Sequence, residues 1–177
     1  MTERKYVQDS RATMTEMVLP NDTNTLSNLM GGKLMHWMDI VAAICAQRHC
    51  NNIVVTASVD NISFKNPIAL GNVVTLNAQV TRAFNTSMEI FLEVYAEDIP
   101  ANSKLLTHRA FFTFVAVDKS GRPVRVPELI PQGKVENELY EGALRRRQLR
   151  LVLAKRMDPQ DATELKSLFD LEKTDNE

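Results

Sequence analysis

Asp39 is the residue whose surroundings most need a physical explanation. Its neighbours at helical spacing are Met35, His36, Ala42 and Ala43, which sets a carboxylate on a largely apolar helix face. A buried carboxylate is costly, so it is hydrogen-bonded, shifted in its titration, or used in chemistry. The chemistry would be that of a general base or a nucleophile. The bland alternative is a solvent-facing aspartate near a helix start, where the helix dipole favours it. His36 precedes Asp39 by three positions, a spacing a metal ion can use. No second ligand pair with zinc-like spacing accompanies it, which favours a structural histidine and no metal.

Gly31-Gly32 opens the same stretch. Glycines there allow close approach of a ligand to the backbone, and the free N–H groups of a helix start suit a developing oxyanion. A plain turn is the simpler alternative. Asn24 and Asn28 lie just upstream; an amide could orient a water, although asparagine in a loop more often serves turn geometry. Arg145, Arg146, Arg147 and Arg150 form a basic run on an expected helix. Such a run is either a solvated face or a phosphate clamp. The chain has no Gly-x-Ser-x-Gly elbow, no P-loop and no Gly-x-Gly-x-x-Gly pattern, so serine-triad and nucleotide-loop chemistry are not supported.

These residues need elements to hold them. From Lys33 to Cys50, apolar residues recur at helical spacing through Leu34, Trp37, Met38, Val41, Ile44 and Cys45, and they spill onto the remaining faces. A helix apolar nearly all round is buried, so a central helix wrapped by other elements is expected. The wrapping is β. Ile53 to Phe64 reads as one strand, with a bulge allowed. Val74 to Val80 and Met88 to Val94 alternate as a hairpin, and Leu105 to Val117 is a further strand ended by an Asp118–Gly121 turn. One buried helix and consecutive antiparallel strands make an α+β layer. The domain organisation expected is a polar lead-in over 1–16, a core domain over 17–131, and a charged helical extension over 132–177 with breaks at Pro131 and Pro159.

Composition limits the function classes. The 177 residues suit one domain, and 44% hydrophobic with 24% charged residues allow a sizeable core. A net charge of -1 gives no reason to expect nucleic acid or an acidic membrane as partner. No apolar run reaches the roughly 20 residues of a membrane span, and the first eleven residues lack the apolar stretch of a signal peptide. Cys45 and Cys50 point to different helix faces and make a poor disulfide pair. A reducing, cytoplasmic setting follows.

The stretch Pro20 to Asp39, with its Asn24, Gly31-Gly32 and Met38-Asp39, resembles the opening of the hotdog-fold acyl-CoA thioesterases. It is similar to the short bacterial enzymes and to one domain of the tandem animal cytosolic hydrolases. Val55 to Phe64, Val80 to Ile90 and Ala110 to Val117 resemble further blocks of that family, in order, so the likeness covers about Val18 to Pro131. The segment from Asp158 to Glu177 has no counterpart in it.

The resemblance implies a sheet curled around the central helix and hydrolysis of fatty acyl-CoA, with no cofactor beyond the substrate. Asp39 matches the catalytic aspartate, and Asn24, ahead of Asn28, its partner asparagine from a second subunit. Gly31 and Gly32 match the glycines that serve the thioester carbonyl. Ala57, Ser58 and Val59, with Thr86, Ser87 and Met88, match segments that contact coenzyme A, and Arg147 a basic position that reaches it. The resemblance also implies dimers assembled into a homohexamer. A general base and a covalent acyl-Asp39 both remain open, as do acyl chain length and nucleotide regulation. Two rival readings are a non-catalytic acyl-CoA-binding hotdog and an acyl-CoA hydratase. The hydratase would want a histidine at the helix start, where Met30 stands and His36 lies deeper.

Overall fold

The computed structural model describes residues 4–60, 62, 64 and 66–171, with side chains as far as residue 168. The chain divides into two compact units, 1–130 and 131–177.

In the first unit, a five-stranded antiparallel sheet is built from β2 (Ala12–Met17), β3 (Ile53–Val59), β4 (Val73–Ala83), β5 (Ser87–Asp98) and β6 (Ser103–Val117). Its strand order is β2-β4-β5-β6-β3, so β2 and β3 are the edges. β1 (Arg4–Tyr6) and β7 (Glu128–Ile130) form a small parallel pair. The helix α1 (Gly31–Cys50) lies on the sheet and makes the core. Leu34, Trp37, Met38, Val41, Ala42, Cys45 and Ala46 are buried. They share the interior with Val74, Leu76, Ala78 and Val80 of β4, Ile90, Leu92 and Val94 of β5, and Ala110, Phe112 and Phe114 of β6. Period-two alternation on the strands supplies this inner face, and the 3.6-residue period of α1 supplies the stripe that meets it.

Local signals end α1 as its sequence dictates. Asn51 takes the left-handed conformation (φ 52°) and its N–H bonds Gln47 O at 2.7 Å, while Arg48 and His49 occupy the last turn next to the negative end of the dipole. At the other end Met30 precedes the helix with no side-chain cap.

The expected α+β layer with a sheet around a helix is what the chain forms, with three differences. Residues inside the expected 1–16 lead-in belong to the sheet, because β2 pairs with β4 from Ala12↔Ala78 to Met17↔Val73. Its alternation of Thr13 and Thr15 with Ala12 and Met14 is that of an edge strand covered on one side only, and with Glu16 following it reads as merely polar. β3 stops at Val59 instead of running to Phe64. It does carry the bulge, between Thr56 and Ser58. α1 is not buried all round either: Ile40 and Ile44 are 37% and 40% exposed. Within one chain a single sheet covers only one side of the helix.

The second unit consists of α2 (Gly133–Leu153), which carries the arginine run, and α3 (Thr163–Leu171). Leu165 N donates to Gln148 Oε1 at 2.9 Å, tying α3 to α2. Of the expected tail, 172–177 lies outside the described residues. No described helix is long and apolar enough to cross a membrane.

Candidate active site

The geometry starts from Asp39. Its side chain is half-buried on α1, and Thr56 Oγ1 on β3 donates to Asp39 Oδ1 at 2.7 Å. A hydroxyl-to-carboxylate bond of this length is charge-assisted and fixes the plane of the carboxylate. Oδ2 has no partner among the described residues and is left for chemistry. Asp39 is thus neither orphaned in the core nor a freely solvated surface group. One of its oxygens is held and the other is presented at the edge of the sheet.

Thr56 was not among the residues singled out from the sequence, although Ala57, Ser58 and Val59 directly after it were. A threonine inside a Val- and Ile-rich run reads as ordinary strand composition. Its single cue is a hydroxyl beside a bulge, where the side chain is re-aimed. Across the sheet, Thr56 pairs with Phe114, and Phe114 with Met88. The two expected coenzyme A segments, 57–59 and 86–88, therefore flank one row of β6, about 10 Å apart. Ala57 and Val59 are exposed, Ser58, Thr86 and Ser87 half-buried. Thr86 O accepts Ala116 N at 2.9 Å in the turn between β4 and β5. Met88 has its side chain fully buried in the core, which leaves its backbone for the expected contact.

The loop before α1 forms a second cluster. Asn24 is exposed, and its Oδ1 accepts from Leu26 N at 2.9 Å and Asn28 N at 3.2 Å. That ties the loop to itself and leaves Nδ2 without a partner among the described residues. Asn28 bridges to Ala69 through its backbone. Asp22 anchors the loop to the helix: its carboxylate takes Lys33 Nζ at 3.0 Å and Leu19 N at 3.1 Å, and its carbonyl takes Met30 N at 2.9 Å. The hydrogen bond from Lys33 is the main reason its carboxyl stays below the usual aspartate range.

Gly31 and Gly32 follow. The N–H groups of Lys33 and Leu34 bond Met30 O at 3.0 Å each, so among the described residues those of Gly31 and Gly32 are the unused donors of the helix start. Gly32 has nothing within 4 Å of where a Cβ would stand. Its smallness is not required by packing in this chain.

Asp39 is eight residues along the helix from Gly31, about 12 Å in rise. One chain therefore holds two separate candidate clusters: the loop of Asn24 leading into Gly31-Gly32, and Asp39 with Thr56. His36 is exposed one turn before Asp39. Arg147 is half-buried on α2, in the second unit.

The chain matches the thioesterase superfamily over residues 26–101. It is 39% identical over 144 residues to an acyl-CoA thioester hydrolase of Bacillus subtilis, covering 81% of this chain and 84% of that one. Among solved structures it resembles a hexameric acyl-CoA thioesterase without ligand, with a TM-score of 0.83, 39% identity, and 86% and 97% of the two chains covered. It also resembles a Staphylococcus aureus acyl-CoA hydrolase in complex with butyryl coenzyme A and coenzyme A, with a TM-score of 0.79, 35% identity, and 86% and 95% covered. Variants of that protein, with alanine for one aspartate, one threonine or one asparagine, have also been solved.

Proposed function

We propose, from the premise that this chain belongs to the hotdog thioesterase superfamily, a mechanism for its action as an acyl-CoA hydrolase on fatty acyl-CoA. The observation that carries it is the pairing of Asp39 with Thr56, which fixes one carboxylate oxygen and presents the other at an exposed edge. In the Staphylococcus enzyme the altered asparagine, aspartate and threonine are spaced 15 and 17 positions apart. Asn24, Asp39 and Thr56 have the same spacing.

A thioester is already an activated acyl donor, because sulfur donates weakly into the carbonyl. The mechanism therefore needs water and side chains and no metal or redox cofactor. Asp39 Oδ2 takes the proton of a water held by Asn24 Nδ2 as that water attacks the carbonyl carbon. Alternatively, Oδ2 attacks directly and forms an acyl-Asp39 that water then hydrolyses. In both versions Gly31 and Gly32 N–H stabilise the oxyanion, with help from the helix dipole. The C–S bond then breaks as the tetrahedral intermediate collapses, and coenzyme A leaves as a thiolate that takes up the proton lost by the water.

One carbonyl cannot sit within hydrogen-bonding reach of Gly31 and also under attack from the same chain's Asp39, given the helical rise of about 12 Å between them. The half-sites must therefore come from two copies, with Asn24 and Gly31-Gly32 of one facing Asp39 and Thr56 of the other. The surface of the first unit fits this. β3 is an unpaired edge with Ile53, Val55 and Val59 at 52%, 48% and 37% exposure, and α1 adds the exposed Ile40 and Ile44. Open apolar edges of this kind are covered by a partner. We take the assembly to be a dimer repeated into a hexamer. Ala57, Ser58, Val59, Thr86, Ser87 and Arg147 are taken to contact coenzyme A. The two buried free thiols fit a cytoplasmic setting.

The test is thiol release from acyl-CoAs of graded length by wild type and Asp39→Asn, matched for oligomer size. Loss of the base should lower turnover about 100- to 10,000-fold. Full turnover by a folded Asp39→Asn protein refutes the assignment. A wild-type protein that binds acyl-CoA without releasing thiol supports the binding-module reading instead.

A further inference from the structure

His108 is a buried polar side chain that the proposed mechanism leaves unused. It lies on β6 at 5% exposure, and neither Nδ1 nor Nε2 has a hydrogen-bond partner among the described residues. Buried polar atoms are overwhelmingly bonded, so an imidazole with both nitrogens idle calls for a cause.

Strand alternation points it inward, and a register slip follows directly beside it. β5 and β6 slip between Val94 and Tyr95: Val94 opposes His108 while Tyr95 opposes Leu106. Thr107 is the extra residue of this bulge, and its hydroxyl donates to Val94 O at 3.0 Å. His108 stands two residues before Ala110, in unbroken register with it, and so belongs to the buried row of Ala110, Phe112 and Phe114, a position where an apolar residue would be the ordinary choice. Its ring lies 5.4 Å from that of Phe64, centroid to centroid. The same Phe64 ring approaches to 3.5 Å from where a Cβ on Gly31 would stand. One aromatic ring therefore separates the idle imidazole from the start of α1, where the thioester carbonyl docks in the reading above.

Burial holds the His108 imidazole below its usual titration range, so at neutral pH it is uncharged, with one N–H donor and one nitrogen acceptor. A hydroxyl group can accept from the N–H or donate to the bare nitrogen, and so gives such a ring one of its two missing bonds. A methylene does neither and leaves the ring unbonded.

We propose that His108 is a specificity-determining residue that hydrogen-bonds a hydroxyl on the acyl chain, so that hydroxyacyl-CoA is favoured over the unsubstituted acyl-CoA of equal length. This rests on the reading of the helix start as the acyl-CoA site. The experiment compares kcat/KM for matched 3-hydroxyacyl- and unsubstituted acyl-CoAs in wild type, His108→Leu and His108→Gln. In parallel, the binding of the corresponding non-hydrolysable thioether analogues is measured. One neutral hydrogen bond predicts a preference of up to about tenfold for the hydroxylated member in wild type. His108→Leu should abolish it and His108→Gln should keep part of it. His108→Phe serves in place of the leucine variant should that one fail to fold. A wild-type preference absent at every chain length, or one that His108→Leu leaves unmoved, overturns the proposal. If no acyl-CoA is hydrolysed, the thioethers decide. Tighter wild-type binding of the hydroxylated analogue, lost in His108→Leu, upholds the proposal although hydrolysis has failed, and equal binding refutes it.

Discussion

Thr56→Val removes a single hydroxyl and nearly nothing else. Valine matches threonine in shape and in strand preference, and position 56 is exposed on an edge strand, so folding stability should stay within about 0.5 kcal/mol. The lost bond is 2.7 Å from hydroxyl to carboxylate, at the strong end of its class, and bonds to charged groups contribute about 1.5–3 kcal/mol. At about 1.36 kcal/mol per tenfold in rate, complete loss of that contribution in the transition state lowers kcat about 10- to 150-fold. Water can replace part of the bond at an exposed position, so the expected loss is about 10- to 30-fold. The assay is steady-state thiol release at saturating acyl-CoA. KM should change little, because Thr56 orients Asp39 and does not hold coenzyme A. Thr56→Ser keeps the hydroxyl and should stay near wild type. Wild-type kcat in Thr56→Val refutes the reasoning. Equal impairment in the serine variant also refutes it, because the methyl group would then be what matters.

Gly32→Ala should leave the melting temperature unchanged or raise it, since no described residue occupies the Cβ position and alanine is the better helix former. The same change should lower kcat/KM about tenfold or more if the thioester docks against that backbone, and unchanged kinetics would dismiss the oxyanion role. Asp22 carries its negative charge more readily folded than unfolded, chiefly through Lys33. Its contribution is complete above the ordinary aspartate value of 3.8 and is lost as the pH falls through the lower folded value. Melting curves of wild type and Asp22→Asn should accordingly differ at pH 7 and converge in acid; a constant gap contradicts the ion pair. Burial pushes the Cys45 thiol up to about 12, so an aromatic disulfide reagent at pH 8 should modify Cys45 only on unfolding. Rapid native labelling mapped to Cys45 would contradict its burial.

Much of this was legible because periodicity reports burial. The inner row of β4, β5 and β6 and the stripe from Leu34 to Cys45 follow from periods of 2.0 and 3.6 alone. Ile44 departs from it because hydrophobic spacing does not distinguish a surface covered by the chain's own sheet from one awaiting another copy. β2 was hidden for the opposite reason, since an edge strand half open to water needs few apolar residues. Asp39 stood out as a charge among apolar neighbours. Thr56 did not, because its role depends on a contact 17 positions away across a bulge, and one hydroxyl in a strand has no pattern of its own. The burial of His108 follows from its even spacing with Ala110, Phe112 and Phe114, but spacing does not say whether its ring finds a partner.

Strand order also determines when, during folding, the carboxylate gains its hydroxyl. β4, β5 and β6 follow one another as a meander and can zip through short turns. β3 must instead wait for its partner, since Val59 pairs with Phe112 only after the whole meander between them has been made. Contacts of such sequence separation form late, because the entropy of closing the intervening chain is lost before any pairing compensates it. A nascent chain can therefore own its helix and most of its core while Asp39 is still unaccompanied. In the two-copy reading above catalysis cannot precede the docking of β3, and a chain stalled before that step would look nearly native in its helix content and be inert.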